Sequence, residues 1–277
     1  MPEAAAVKDF RDKTVYIVGG SSGIGLAAGK LFAREGAHVL VLARRAAILE
    51  RAVREISAEA RSGTQRAASL PLDVKDRQQV IATMQEAVQS FGAPDVLIHS
   101  AGTSRPGYFE AIPYEHFEET LMVNVYGVWN TTSVLVPHMK NRGGHIVIVS
   151  SVAGLIGLFG FTAYSASKFA VIGFSEALRS ELKPHGIQVS VLCPPDTDTP
   201  LLHEADKTKP LETKAISGKA KRMQPEEVAR CLIRGMRKNQ FMIIPGFDSR
   251  WIYFAKRVVP SLVDFFVDRA IERAQRR

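Results

Sequence analysis

The chain has 277 residues, of which 46% are hydrophobic and 23% are charged, as in folded globular proteins. This composition excludes a disordered, collagen-like or coiled-coil chain, and the length suits one α/β domain. Two cysteines, Cys193 and Cys231, are too few for a disulfide framework and indicate a reducing compartment. We find no signal-peptide pattern at the N-terminus and no run of about 18 apolar residues. We therefore expect an intracellular, cytoplasmic protein.

The net charge of +8 is unevenly distributed along the chain. Residues 1–206 carry 19 basic and 21 acidic side chains, whereas residues 207–277 carry 17 and 7. No recognition motif for DNA or RNA is present, so we expect no nucleic-acid partner. The basic end indicates either a solvated tail or peripheral contact with the anionic, cytoplasmic face of a membrane through residues 250–277.

Up to about residue 200, short apolar runs alternate with longer segments of helical period. The apolar runs are residues 14–18, 38–42, 68–72, 96–98, 145–149 and 188–192. The helical segments between them are residues 24–35, 46–61, 77–91, 114–140 and 162–183. Strands without polar alternation are buried on both faces, and helical crossovers make them parallel. The pattern predicts an α/β fold with a doubly wound, Rossmann-type parallel sheet between two layers of helices.

The remaining chain is predicted to complete the same domain and to extend beyond it. Residues 196–222 are polar and predict a mobile substrate loop near the strand ends, followed by a helix over 225–238 and a last strand over 241–244. This organisation gives an N-terminal arm (1–12), one main domain (13–246) and basic amphipathic C-terminal helices (247–277).

Those C-terminal helices have a clear apolar periodicity. The first has one apolar face, formed by Trp251, Phe254, Ala255, Val258 and Val259. After Pro260, the second has another, formed by Leu262, Val263, Phe266, Val267, Ala270 and Ile271. Such faces indicate either an interfacial membrane helix or packing on the protein body or a second subunit.

A glycine-rich segment joins the first predicted strand to the first helix. It contains Gly19, Ser21, Ser22, Gly23, Ile24 and Gly25. Glycine lets the backbone approach a pyrophosphate closely, and the helix N-terminus presents unpaired N–H groups to it. Because the flanking strand and helix are both predicted, the segment indicates a dinucleotide site rather than an ordinary turn.

Arg44 and Arg45 follow the second predicted strand. Enzymes that prefer NAD usually have an acidic residue there to bind the ribose hydroxyls, whereas a 2′-phosphate requires a cation. Since Arg44 can form a charge-assisted pair with a phosphate, we expect NADP(H) as the cofactor. The alternative is an ordinary exposed arginine at a helix start. We predict no metal site.

The candidate catalytic residues follow a later strand and open a later helix. Ser151 lies at the end of the strand, and Tyr164 and Lys168, four residues apart, share one helical face. A phenol has a pKa near 10, and a neighbouring ammonium is expected to lower it towards the working range of an acid–base catalyst.

Together these motifs resemble the short-chain dehydrogenase/reductase family over about residues 12–245. The resemblance implies that residues 13–246 form one NADP(H)-binding catalytic domain. The resemblance implies that Asn124, Ser151, Tyr164 and Lys168 are catalytic. It also implies cofactor contacts, beyond Arg44 and the glycine-rich segment, for Asp73, Val74, Ala101, Gly102, Tyr164, Lys168, Pro194, Thr197 and Thr199. The chain departs from the family pattern at Val18, His99, Ser100 and Pro195. Family members often pair through the helices that hold Asn124 and Tyr164, so a homo-oligomer, a dimer or a tetramer, is expected.

Within that family, residues 158–170, 194–200 and 208–213 are similar to the 3-ketodihydrosphingosine reductases. The similarity implies NADPH-dependent reduction of 3-ketosphinganine, a lipophilic ketone, to sphinganine. One alternative is the same reduction of a 3-oxoacyl thioester, a hydroxysteroid or another lipophilic ketone, and a second is a non-catalytic NADP(H) sensor. Five side chains are predicted either to line an alkyl-chain channel or to belong to the core. They are Leu155, Ile156, Leu158, Phe159 and Phe161.

Overall fold

The fold, taken from a computed structural model that describes residues 9–217 and 222–276, is built on one parallel sheet. Its seven strands have the spatial order β3-β2-β1-β4-β5-β6-β7. The strands are β1 (Thr14–Val18), β2 (His38–Ala43), β3 (Ala67–Pro71), β4 (Val96–His99), β5 (Gly144–Val149), β6 (Ile187–Leu192) and β7 (Met242–Ile243). The predicted doubly wound α/β sheet is confirmed. The strand order reverses between β1 and β4, which is where such sheets open a ligand crevice.

Helices cover both faces of the sheet. The helices up to β6 are α1 (Gly23–Arg34), α2 (Ala46–Ser57), α3 (Arg77–Phe91), α4 (Tyr114–Leu121), α5 (Gly127–Met139) and α6 (Thr162–Leu182). Those after β6 are α7 (Pro200–Asp206), α8 (Leu211–Ser217), α9 (Pro225–Arg237), α10 (Phe247–Val258) and α11 (Pro260–Gln275).

Two buried clusters explain why the strands lack polar alternation. In β1, Val15 and Ile17 pack with α1, α2 and α9, whereas Tyr16 and Val18 point to the opposite face and pack with α3, α5 and α6. Every second residue therefore faces a different layer of helices, and both sets must be apolar.

The predicted helix over 114–140 is divided in the structure. A π-helical turn, Met122–Tyr126, separates α4 from α5, and Asn124 lies inside it. In this wider turn the Asn124 side chain forms hydrogen bonds with the backbone of Thr103, on the loop after β4. Short π-helical insertions are frequently found at functional sites.

Residues 196–222, predicted as a mobile substrate loop, contain two short helices, α7 and α8, among the described residues. Thr199 caps α7, its hydroxyl accepting a hydrogen bond from the Leu202 amide (3.3 Å), and Pro200 occupies the first helical position. Helix α8 follows, and α11 packs against it. A capping threonine and a proline in the first turn both favour the start of a helix in a polar segment.

The two predicted C-terminal helices are present as α10 and α11 and pack against each other. The N-terminal arm falls mostly on residues 1–8, and residues 218–221 of the substrate loop and Arg277 also lie outside the described residues. Among the helices of 9–217 and 222–276, none is both long and apolar enough to cross a bilayer.

Candidate active site

A cleft of about 280 Å³ opens at the carboxyl ends of the central strands. All but one of the residues predicted to bind the cofactor line it, together with three of the four predicted catalytic residues. The exceptions are Gly25, which packs beneath the glycine-rich turn, and Asn124, which lies behind Gly102.

The turn from β1 to α1 requires glycine for two separate reasons. Gly19 has φ +81°, and a Cβ there would lie 2.4 Å from the Ala101 amide nitrogen. A Cβ on Gly25 would lie 2.3 Å from the Gly19 carbonyl oxygen. The N-cap residue Ser22 makes no side-chain capping hydrogen bond, so the first amides of α1 remain available to a ligand. This cradle suits the pyrophosphate of a dinucleotide.

The residues expected around the adenosine half lie at the far end of the cleft. Arg44 and Arg45 both line it and are exposed, and within the described residues neither is paired with a carboxylate. Asp73 follows β3, where its Oδ1 accepts a hydrogen bond from the Lys75 amide (3.0 Å). The Val74 carbonyl accepts one from Asn130 Nδ2 (3.0 Å), which ties this loop to α5. The end of the cleft therefore carries two free cations beside a fixed loop.

Tyr164 and Ser151 lie together inside the cleft. Burial raises the pKa of the Tyr164 hydroxyl to about 12, and the Ser151 hydroxyl opposes this increase. The expected lowering of this pKa by Lys168 is not observed, because desolvation of the phenolate dominates. A phenol with this pKa stays protonated near neutral pH and can donate a proton.

Lys168 is buried one helical turn beyond Tyr164. Its Nζ donates a hydrogen bond to the Val149 carbonyl (2.9 Å) and lies 5.5 Å from the centre of the Tyr164 ring. Burial lowers the Lys168 pKa from 10.5 to about 8, since no carboxylate among the described residues pairs with it. The site thus contains an ammonium group available to a polar ligand.

Asn124 reaches the same site from the π-helical turn. Its Oδ1 accepts from the Thr103 amide (2.8 Å), and its Nδ2 donates to the Thr103 carbonyl (3.0 Å) and to Ser167 Oγ (2.9 Å). A Cβ on Gly102 would lie 3.4 Å from Asn124 Oδ1 and 3.7 Å from Lys168 Nζ. Asn124 therefore connects the loop after β4 to α6, next to the lysine.

The apolar end of the cleft differs from the predicted channel. Of the five apolar residues that precede Tyr164, only Leu158 and Phe161 line the cleft. Leu155, Ile156 and Phe159 do not line it, and Ile156 is buried, as the core alternative predicted. The wall is completed from α7 by residues that the sequence did not single out, namely Leu201, Leu202 and Ala205. Only the return of α7 over the strand ends brings them there.

Known proteins provide an independent comparison. The family profile described as short chain dehydrogenase matches residues 13–210. The chain therefore belongs to the short-chain dehydrogenase/reductase family, and it is an oxidoreductase that uses a nicotinamide cofactor.

Particular relatives refine this assignment. The chain is 42% identical to a 3-dehydrosphinganine reductase of Danio rerio, over 85% of this chain and 71% of that protein. The crystal structure of LigD in its apo form, from Sphingobium sp. strain SYK-6, has 31% identity and a TM-score of 0.77, covering 92% of this chain and 98% of that one. A 3-ketoacyl-(acyl-carrier-protein) reductase of Brucella melitensis complexed with NADH has 27% identity and a TM-score of 0.74, covering 85% and 96%.

Proposed function

We propose that the protein reduces the 3-keto group of 3-ketosphinganine to the alcohol of sphinganine, with NADPH as reductant, in sphingolipid synthesis. The observation that carries the proposal is the joint presence, in one cleft, of the Ser151–Tyr164 pair and an apolar wall from two elements. The family's chemistry would suit many ketones, and the 42% identity to a 3-dehydrosphinganine reductase supports this ketone as the substrate.

The glycine-rich turn, Arg44 and Lys168 would hold NADPH, which supplies the hydride when bound. The Ser151 and Tyr164 hydroxyls donate hydrogen bonds to the carbonyl oxygen, where negative charge develops during reduction. Tyr164 then delivers its proton to that oxygen, which its raised pKa permits because the phenol is protonated at neutral pH. Asn124 holds the loop after β4 against α6, next to Lys168, through its hydrogen bonds to Thr103 and Ser167.

The test is oxidation of NADPH by the purified protein with 3-ketosphinganine in mixed micelles, beside a 3-oxoacyl thioester of matched chain length. A kcat/KM at least about tenfold higher for the sphingoid ketone supports the proposal, because discrimination between ketones is set by the pocket. A preference for the thioester would indicate instead the reaction named for the Brucella melitensis relative. Binding of NADPH without turnover of any ketone would indicate a sensor.

The preference for NADPH over NADH is expected to depend on Arg44. Replacing it with alanine should lower kcat/KM for NADPH about tenfold to a hundredfold and leave NADH almost unaffected, because one charge-assisted contact with the 2′-phosphate is lost. Arg54→Ala, an exposed arginine of α2 outside the cleft, is the control. Equal losses with both nucleotides would contradict this role of Arg44.

We propose further that the protein pairs with a second copy through α5 and α6. Three aromatic side chains are exposed in this region: Tyr126 precedes α5, Trp129 lies on α5 and Phe169 lies on α6. Contact with a second copy through these helices would remove such side chains from water. Sedimentation of the wild type and of Trp129→Ser tests the pairing.

For location we propose a cytoplasmic protein attached peripherally to an anionic membrane through α10 and α11. Eight large apolar side chains of this hairpin, here called its apolar face, are 44–75% exposed. They are Phe247, Trp251, Phe254, Val258, Val259, Leu262, Phe265 and Phe266. Basic side chains on the same helices, among them Arg250, Arg257 and Arg273, suit anionic headgroups.

The double variant Trp251→Ser, Phe254→Ser is expected to lose most of its binding to phosphatidylglycerol vesicles in a sedimentation assay. Burial of the two aromatic rings in the lipid boundary supplies several kcal/mol, by the area removed from water. Tyr253→Ser removes an aromatic side chain from another side of α10 and is expected to bind normally. If the wild type does not sediment with these vesicles, the apolar face serves another purpose, such as contact with a second copy.

A further inference from the structure

Asp196 is an acidic residue at the apolar end of the cleft, and the catalytic arrangement above does not use it. It follows β6 and the two prolines Pro194 and Pro195, and it lines the same cleft as Tyr164. The cleft that holds Tyr164 therefore also holds a carboxylate.

The backbone around Asp196 is held firmly. Its carbonyl accepts a hydrogen bond from the Met223 amide (3.0 Å), and Thr197 pairs with Met223 as an isolated β-bridge. Thr197 Oγ1 also donates to the Pro195 carbonyl (2.8 Å). A carboxylate carried by so constrained a segment is positioned in advance for a ligand.

The ion pair of Asp196 leaves part of its carboxylate free. Lys209 Nζ lies 3.3 Å from Asp196 Oδ2 but only 2.8 Å from Asp206 Oδ1, so its shorter contact is with Asp206. Within the described residues Asp196 Oδ1 accepts no hydrogen bond, and the Asp196 side chain is 45% exposed whereas that of Lys209 is 3% exposed. One oxygen of this carboxylate is therefore available to a cation that enters the cleft.

Two observations connect this carboxylate with Tyr164. Its charge contributes to the raised pKa of the Tyr164 hydroxyl, so its field reaches that oxygen. Phe161 also links the two regions, since its ring centre lies 5.7 Å from that of Tyr164 and 5.8 Å from Lys209 Nζ. Tyr164 and Asp196 thus line one cleft and are connected through Phe161 and Lys209.

We propose that Asp196 is a specificity residue that binds the ammonium group on the carbon adjacent to the substrate ketone. This inference rests on the proposed function, because 3-ketosphinganine carries an amine at that carbon whereas a 3-oxoacyl thioester carries no cation. The carboxylate would attract the amino ketone and give no advantage to a neutral ketone of equal chain length.

The test compares 3-ketosphinganine with its N-acetyl derivative, which keeps the ketone and the chain but has no positive charge. For Asp196→Asn we expect kcat/KM for the amine to fall about tenfold to a hundredfold, mainly through KM, and kcat/KM for the amide to change less than about threefold. Asp198→Asn is the matched control, because Asp198 is on the same segment, outside the cleft and paired with His203 and Gln224.

The possible results are distinct. Retained NADPH binding by Asp196→Asn, measured by fluorescence titration, shows that the variant is folded. Equal losses for the amine and the amide, or no loss for either, would overturn the role of Asp196 and leave the proposed reaction intact. A wild-type enzyme that reduces neither compound would instead overturn the proposed function, and the Asp196 inference with it.

Discussion

Replacing Tyr164 with phenylalanine is expected to lower kcat for ketone reduction by about a thousandfold, within the usual contribution of a positioned acid. The substitution removes the hydroxyl that donates the proton but keeps the ring, which packs 5.7 Å from Phe161 between ring centres. Nucleotide affinity should change little, because the turn after β1 and Arg44 are untouched. Single-turnover oxidation of NADPH measures the chemical step, and fluorescence titration measures NADPH binding.

Tyr114→Phe provides the control for this experiment. Tyr114 is a tyrosine of α4 that is 71% exposed, so the loss of its hydroxyl should leave kcat unchanged. If Tyr164→Phe retained more than about a tenth of the wild-type kcat, its hydroxyl would not be the acid, since a catalytic acid contributes at least about a hundredfold. In that case the Ser151 hydroxyl would be the next candidate to replace.

Lys168→Met is expected to abolish activity and yet to stabilise the folded protein near neutral pH. The lowering of the Lys168 pKa from 10.5 to about 8 corresponds to roughly 3 kcal/mol of unfavourable burial of charge. Methionine removes that cost but leaves the Val149 carbonyl without its donor, which costs about 1–2 kcal/mol. The expected net gain in the free energy of unfolding is about 1–2 kcal/mol, measured by urea denaturation.

The gain in the free energy of unfolding of Lys168→Met over wild type should fall as the pH rises. Below about pH 8, Lys168 is charged in both the folded and the unfolded chain, so wild type carries the full cost of burial. Between about 8 and 10.5 the folded protein releases its proton first, and the unfolded chain binds more protons. The stability of wild type relative to Lys168→Met must therefore rise across this window, and the advantage of the variant disappears.

Lys209→Met is the matched comparison for this stability experiment. Lys209 is also buried, but it contacts the carboxylates of Asp196 and Asp206. Removing it leaves Asp196 without its cation and Asp206 with Arg222 alone, so the variant should be less stable than wild type. A loss of stability in Lys168→Met as large as that in Lys209→Met would show that the Lys168 charge is compensated in the folded protein.

Much of this architecture follows from local pattern. The strand runs are apolar because each strand is covered by helices on both faces, and β1 shows this in the opposite packing of Ile17 and Tyr16. The turn after β1 requires glycine at position 19 for steric reasons, and this requirement is visible in the sequence as a glycine motif. Predicted bounds differ from those observed by a few residues, as for the helix over 46–61, which ends as α2 at Ser57.

The π-helical turn around Asn124 was missed for a physical reason. Hydrophobic periodicity over 114–140 is nearly that of one continuous helix, and the extra residue in the turn does not disturb it. What stabilises the turn is a partner distant in sequence, the Thr103 backbone, which bonds both ends of the Asn124 amide. Only a contact across the fold can stabilise an arrangement that local propensity disfavours.

The sequence by itself determined the layered sheet, the nucleotide-binding turn and the residues Ser151, Tyr164 and Lys168 that meet in the cleft. Strand burial, backbone sterics and helical spacing all act between residues that are near neighbours in the chain. The tertiary structure alone decided which apolar residues line the cleft, where Asp196 lies and how buried Lys168 is. The first two depend on how α7 and the chain near Met223 return over the strand ends, and the burial of Lys168 depends on its packing against Gly102 and Val149. Desolvation and pairing between distant residues arise only in the folded chain, so a local sequence pattern cannot predict them.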